Sequence, residues 1–239
     1  MRKFVDLHLC APSGDLKQVE RMVNLSAELG YRMVGIPLSP SVSQERIRQI
    51  EEVCDKARVD FVTRVDLMPK TSNELLFNLG RLRRKFEIVS VACTSKNAAR
   101  QAAKDRRVDL LSPCLTFPCK RFFDYAEAQL ASEKLGSFEI DIAQVLSLTG
   151  FPRVRLLSSL RREVAIARKF DVPITISSGA SDENFLRSPQ DYVALASLFD
   201  LPASSALQAL SDNPLSMVER NRGKLSPCYV APGVRVVGK

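Results

Sequence analysis

Phe61-Val62-Thr63-Arg64-Val65-Asp66-Leu67, followed at once by Met68-Pro69-Lys70-Thr71-Ser72-Asn73-Glu74, spells out one strand and the start of one helix. Phenylalanine, valine and threonine crowd the first seven positions, as a pleated surface favours. Thr71 with Glu74 three residues on has the form of a capping box, whose hydroxyl and carboxyl satisfy free amides of a first helical turn. Outward from this unit the same alternation repeats. Strand-like runs occupy 4–9, 32–37, 86–92, 108–111, 138–142 and 173–177, giving seven with the first.

Between them lie stretches of helical period. Ile47, Ile50, Cys54 and Ala57, and later Leu157, Leu160, Val164 and Ala167, each mark one buried stripe. Ser41 with Gln44 fits another capping box, and Ser188 before Pro189 and Asp191 fits a capped start with proline in the first turn. Gly30, Gly136 and Gly223 are expected to end helices. Strand-helix alternation implies parallel pairing, and a repeat of about 25 to 30 residues suits a barrel or a doubly wound sheet. No GxGxxG or GxxxxGK[ST] follows a strand, which removes the usual support for the wound sheet. The fold expected is therefore α/β and TIM-barrel-like, one domain over 1–239. Helices near 191–199, 203–211 and 215–221, and a Pro-Gly tail with a run at 234–237, are expected to close or cap it.

The 239 residues are 45% hydrophobic, enough for a full core. The start lacks the apolar core of a secretory signal and nowhere do about eighteen apolar residues run together, so a cytoplasmic protein is expected. Cys10, Cys54, Cys93, Cys114, Cys119 and Cys228 form no CxxC pair, which argues against a zinc ribbon and a disulfide framework. Reduced, mostly buried thiols are expected.

With period two, the first strand sends Val5, Leu7 and Leu9 to one side and Phe4, Asp6 and His8 to the other. Taking the apolar side as the one that meets the helices, Asp6 and His8 point into the lumen, as do Arg64, Asp66, Glu139 and Asp141. Asp6-Leu7-His8-Leu9-Cys10 resembles the Asp-x-His-x-His opening of metal-dependent phosphoesterases of the polymerase-and-histidinol-phosphatase type, with Cys10 in place of the second histidine. A phosphoesterase with a lumen carboxylate and histidine site is thus the alternative function. Such sites need several imidazoles, whereas His8 is the only histidine and Arg64 opposes a cation. A structural network of ion pairs, with no catalytic residue and no metal bound by this chain, is the preferred reading. Cys10 beside His8 has no second feature of a nucleophile, and no motif supports a barrel enzyme of another class.

The net charge is +8 and the pI near 9.3, which favours polyanionic partners. Of 35 basic residues 23 are arginine, whose planar fork suits phosphate oxygens. Nine basic residues against Glu87 and Asp105 fall between Arg81 and Arg107. Within that window Lys96, Arg100, Lys104 and Arg107 share about an 80° arc, opposite Ala98, Ala99, Ala102 and Ala103. A second ridge runs through Arg155, Arg162 and Lys169. With Arg220, Arg222, Lys224, Arg235 and Lys239 near the end, phosphate contacts explain the pattern better than solvated faces. The segment Ile174-Thr175-Ile176-Ser177-Ser178-Gly179-Ala180 reads equally as a phosphate cradle or as a tight strand-to-helix turn.

Phe4-Val5-Asp6-Leu7-His8, Arg64-Val65-Asp66-Leu67, Val108-Asp109-Leu110-Leu111, Phe138-Glu139-Ile140-Asp141, Leu160-Arg161-Arg162, the 172–180 segment and Pro232-Gly233-Val234 stand in a characteristic order and spacing. In these the chain resembles the ribonuclease P protein component 3 family, over nearly its full length and most like its archaeal members. The resemblance implies a barrel-fold subunit of an endoribonuclease that removes the 5′ leader of precursor tRNA. It implies ribonuclease P RNA and protein component 2 as partners, magnesium carried by the RNA, and no membrane. It also implies RNA contacts near Arg64, Arg84, Arg107 and Arg187, which join Arg81 and the two ridges as candidate RNA-binding residues.

Overall fold

A computed structural model describes residues 2–12, 14–92, 95–112, 121–231 and 234–235. Seven parallel strands stand side by side in chain order: β1 (Phe4–Asp6), β2 (Tyr31–Pro37), β3 (Asp60–Leu67), β4 (Ile88–Ala92), β5 (Leu110–Ser112), β6 (Ser137–Asp141) and β7 (Ile174–Ser177). Helices α1 (Leu16–Glu28), α2 (Gln44–Lys56), α3 (Ser72–Leu82), α4 (Lys96–Lys104) and α5 (Tyr125–Ser132) make the first crossovers, and α6 (Ile142–Ser147) with α7 (Gly150–Lys169) the last. All seven expected strands are present, and the sheet curls into the expected barrel. Among the described residues no helix is long and apolar enough to cross a membrane.

The barrel closes on a short seam. Leu9 bridges Ala180, the Cys10 amide donates to the Ala180 carbonyl, and the Gly179 amide donates to the His8 carbonyl at 2.9 Å. Below that seam β1 and β7 part, and the C-terminal helices α8 (Pro189–Ala196), α9 (Ala203–Ala209) and α10 (Asp212–Leu225) take over. There the Val5 amide donates to the Leu210 carbonyl at 2.9 Å and Asn213 Nδ2 to the Ile174 carbonyl at 2.7 Å. These helices close the barrel as expected. A hairpin of β8 (Tyr229–Ala231) and β9 (Val234–Arg235) follows.

The lower lumen is apolar: Val5, Leu7, Met33, Val62, Ile88 and Leu110 meet Met217 and Val218 of α10. This corrects the expected parity of the first strand. Val5 and Leu7 face inward because the lumen of such a barrel is itself a packed core, and Asp6 therefore lies on the other face. The strand ends at Asp6 and the chain bends at Leu7, so His8 still reaches the lumen and Leu9 joins the outer core.

Local signals mostly acted as read. Thr71 accepts from the Glu74 amide, and Ser188 with Asp191 forms a full capping box. The cap of α2 is Ser43 and not Ser41, because the helix begins at Gln44 and the Ser41 hydroxyl pairs with Ser39. Gly223 lies inside α10, and the left-handed residue after α5 is Leu135 and not Gly136.

Candidate nucleic-acid interface and barrel lumen

The upper lumen holds a chain of charges. On β3, alternation puts Arg64 and Asp66 above Val62, and across the lumen β6 contributes Glu139 and Asp141. Arg64 is fully buried and donates to both Glu139 oxygens at 2.6 and 2.8 Å, to Asp66 at 2.7 Å and to the Leu7 carbonyl at 2.8 Å. Ser112 and Ser177 also donate to Glu139. His8 lies between two carboxylates, with Nδ1 2.9 Å from Asp141 and Nε2 3.3 Å from Asp66. Burial and the Arg64 charge oppose protonation of His8, yet the two carboxylates override them and raise its pKa well above the ordinary value. Burial alone would raise Glu139, but Arg64 and the hydroxyl of Ser112 hold it down to about 2. Two cations thus face three carboxylates.

Donor atoms of His8, Glu139 and Asp141 lie within 4.8 Å of one another, a spacing that could suit a metal ion. The residues do not fit one. A ligand imidazole must be neutral, whereas both ring nitrogens of His8 face carboxylates. Glu139 is already taken on both oxygens by a guanidinium that cannot lose its charge. The lumen carries its own cation, and the phosphoesterase alternative loses its chemical basis.

Asp6 is absent from this cluster. Its Oδ1 accepts from the His8 and Ser178 amides across the seam at 3.1 and 2.9 Å; burial in the outer core raises the phenols of Tyr31 and Tyr192, and the charge of Asp6 adds to that rise. The donors of the 174–180 segment are spent in the same place: Ser178 Oγ donates to the His8 carbonyl and the Gly179 amide does likewise. The segment is a seam-closing turn and not a phosphate cradle. Gly179 is required there, because its φ is +60° and a Cβ would lie 2.7 Å from that of Asp141.

The basic residues divide by burial. Arg64 is inside and out of reach of any surface phosphate. Arg81, Arg84, Lys96, Arg100, Lys104, Arg155, Arg162, Lys169 and Arg187 are exposed, and Arg107 is half-buried. Ala98, Ala99, Ala102 and Ala103 are buried beneath the α4 ridge as expected. Arg107 lies beyond the end of that helix and pairs with Asp105 at 2.7 Å, so it is not part of the helical arc. Lys96 reaches Asp124 at 3.4 Å and Arg100 reaches Glu127 at 3.8 Å. Burial and the neighbouring Asp124 push Glu127 up to about 7, so this partner of Arg100 is only partly charged near neutral pH. Arg84, Lys104 and Arg162 make no ion pair among the described residues. Arg220 and Arg222 are structural: Arg220 pairs with Asp109, and Arg222 with Asp60 and Glu87, fastening α10 beneath the barrel. The side chains of Arg235 and Lys239, with Cys93, Cys114, Cys119, Pro232, Gly233 and the end of the 234–237 run, lie outside the described residues. Cys54 is buried as expected, which pushes its thiol up to about 12, whereas Cys10 is half-buried and Cys228 exposed.

Two features escaped the reading of the sequence. Arg121 and Glu163 form a buried ion pair beneath α7 with both guanidinium and carboxylate enclosed; the signal was Glu163 falling on the apolar stripe of that helix. Exposed aromatic rings also accompany the charges. Arg81 stacks over Phe77, Arg155 over Phe151 and Lys169 over Tyr125.

The model of the family described as RNase P subunit p30 matches residues 3–226 of the chain. The ribonuclease P protein component 3 of Methanosarcina barkeri strain Fusaro is 30% identical over 236 residues, covering 98% of this chain and 96% of the relative. That of Methanococcoides burtonii is 28% identical over 98% of this chain and 94% of the relative. Among solved structures, a chain of archaeal ribonuclease P with mature tRNA superposes with a TM-score of 0.83 at 21% identity, covering 92% of this chain and 95% of that one. An amidohydrolase superposes with a TM-score of 0.58 at 10% identity over 93% and 75%, a likeness of fold alone. A match to nearly the whole chain, with relatives aligned end to end, carries one conclusion: this chain belongs to the RNase P subunit p30 family.

Proposed function

We propose that the chain serves as an RNA-binding protein subunit of ribonuclease P, helping the catalytic RNA fold for removal of the 5′ leader of precursor tRNA. The observation that carries this reading is the division of charge. The lumen cations are locked in ion pairs, whereas the cations of α4 and α7 stand on the outer surface. Arg81, Arg84, Lys96, Arg100, Lys104, Arg107, Arg155, Arg162, Lys169 and Arg187 are its proposed phosphate contacts. Protein component 2 is the proposed protein partner and the cytoplasm the proposed location. Magnesium belongs to the RNA on this reading, since the lumen carboxylates are already paired with Arg64 and His8.

Reconstitution tests this directly. Precursor-tRNA cleavage at limiting magnesium is expected to rise when the chain is added to the RNA and component 2; unchanged cleavage sinks the proposal. A second measurement concerns salt. Replacing Arg100, Lys104, Arg155 and Arg162 together by alanine is expected to flatten the salt dependence of RNA affinity by about one logarithmic unit for each phosphate that is no longer neutralised. A slope identical to that of the wild-type chain excludes these four as phosphate-binding residues.

A further inference from the structure

We propose that Tyr125, at the first turn of α5, is a stacking platform for an unpaired nucleotide of the RNA; this rests on the RNA-binding reading above. Tyr125 is 54% exposed, yet its ring is held. Phe170, just past α7, meets it edge-on with centroids 5.7 Å apart and planes at 81°, and the Lys169 ammonium lies 5.0 Å from its centroid. A ring held in this way on a residue more than half exposed loses little freedom when a base stacks on it.

Its position adds the charge. Helix α5 packs against α4 on one side and α7 on the other, so Tyr125 stands between the two basic ridges. From α4, Lys96 reaches Asp124, the residue preceding Tyr125, and Arg100 reaches Glu127 one turn further on. From α7, Lys169 reaches the ring itself. Grooves that take single strands combine these same parts: cations that follow the phosphates and an aromatic face for the base. Phe77 and Phe151 are also exposed, and the cation over each ring, Arg81 and Arg155, comes from the ring's own helix. Tyr125 has Lys169 of α7 over its ring and Lys96 and Arg100 of α4 on the residues beside it, which favours a polyanion over a protein partner.

The test compares full-length wild type with Tyr125→Ala, Tyr125→Leu and Tyr125→Phe, each binding transcribed ribonuclease P RNA and a single-stranded oligouridylate over a range of salt. Tyr125→Ala is expected to lose affinity on the order of 5- to 100-fold with an unchanged salt slope, because stacking releases no counterions. Tyr125→Phe keeps wild-type affinity. Tyr125→Leu, which retains apolar packing on Phe170, loses affinity like the alanine variant; if Tyr125→Ala misfolds, this variant decides. Photocrosslinking of 4-thiouridine-substituted RNA is expected on the peptide that contains Tyr125. Wild-type affinity in Tyr125→Leu with a steep salt slope overturns the stacking site and leaves the RNA reading standing. A flat slope in the wild-type chain overturns the RNA reading itself. Loss of component 2 binding at unchanged RNA affinity also overturns the proposal and assigns the ring to a protein contact.

Discussion

Arg64→Met is expected to lower the stability of the chain by about 3–5 kcal/mol, the cost of breaking a buried ion pair by removing one partner. The loss comes from what remains. Glu139 keeps Ser112 and Ser177 but loses its bidentate cation, and Asp66 loses one neutralising partner. Urea unfolding measures the change, and the double substitution Arg64→Met with Glu139→Met is expected to recover most of it, since apolar groups of similar volume can replace a buried pair. A folded Arg64→Met chain within about 1 kcal/mol of wild type contradicts the assignment. The pH dependence supplies a sign. In the wild-type chain the Glu139 carboxyl is depressed from 4.5 to about 2. Its contribution is therefore complete above about pH 4.5 and fades as pH falls towards 2. Without Arg64, burial raises the same carboxyl, and stability instead rises as the medium is acidified from neutral.

Gly35→Ala is expected to cost about 3 kcal/mol or more, the upper range for overpacking a well-filled core. A Cβ at Gly35 would lie 2.6 Å from the Leu7 carbonyl oxygen and 3.0 Å from its carbon, and backbone cannot swing aside as a side chain can. The strain falls where β1 is already committed: that carbonyl accepts from Arg64, and the Leu9 amide donates to Gly35 itself at 2.9 Å. A matched control is Gly80→Ala on α3, where a Cβ would meet nothing within 4 Å. That change is expected to stabilise by about 0.5–1 kcal/mol, because glycine is a poor helix residue. Chemical-denaturation midpoints that move in the same direction for both variants defeat the argument.

The strands and helices were legible because alternation and caps are local. Arg64, Asp66, Glu139 and Asp141 were placed inside correctly, since each sits on a strand whose polar face happened to be its lumen face. Asp6 was misplaced because the chain bends just past β1, so that Val5 faces the lower lumen whereas Leu9, of the same parity, faces the helices, and hydrophobicity cannot tell two cores apart. Arg64 illustrates a different limit. Sequence shows an arginine on a basic chain, whereas only the fold shows that Glu139, seventy-five positions away, encloses it. The roles of Arg220 and Arg222 were lost for the same reason, their carboxylate partners lying on β3, before β4 and before β5. Tyr125 gave no signal, because one tyrosine at a helix start is ordinary until its neighbours are known.

The C-terminal helices that stand beneath the parted ends of β1 and β7 also set the order of assembly. Val5 finds its partner at Leu210, and the packing of the lower lumen is completed by Met217 and Val218. A chain emerging from the ribosome can build its middle strands early, yet below the seam its first strand waits with an open edge until Leu210, Met217 and Val218 have followed it. Pairings so distant in sequence slow folding and leave the nascent edge open to misassociation. The barrel is therefore completed from its C-terminal helices and not from its first strand.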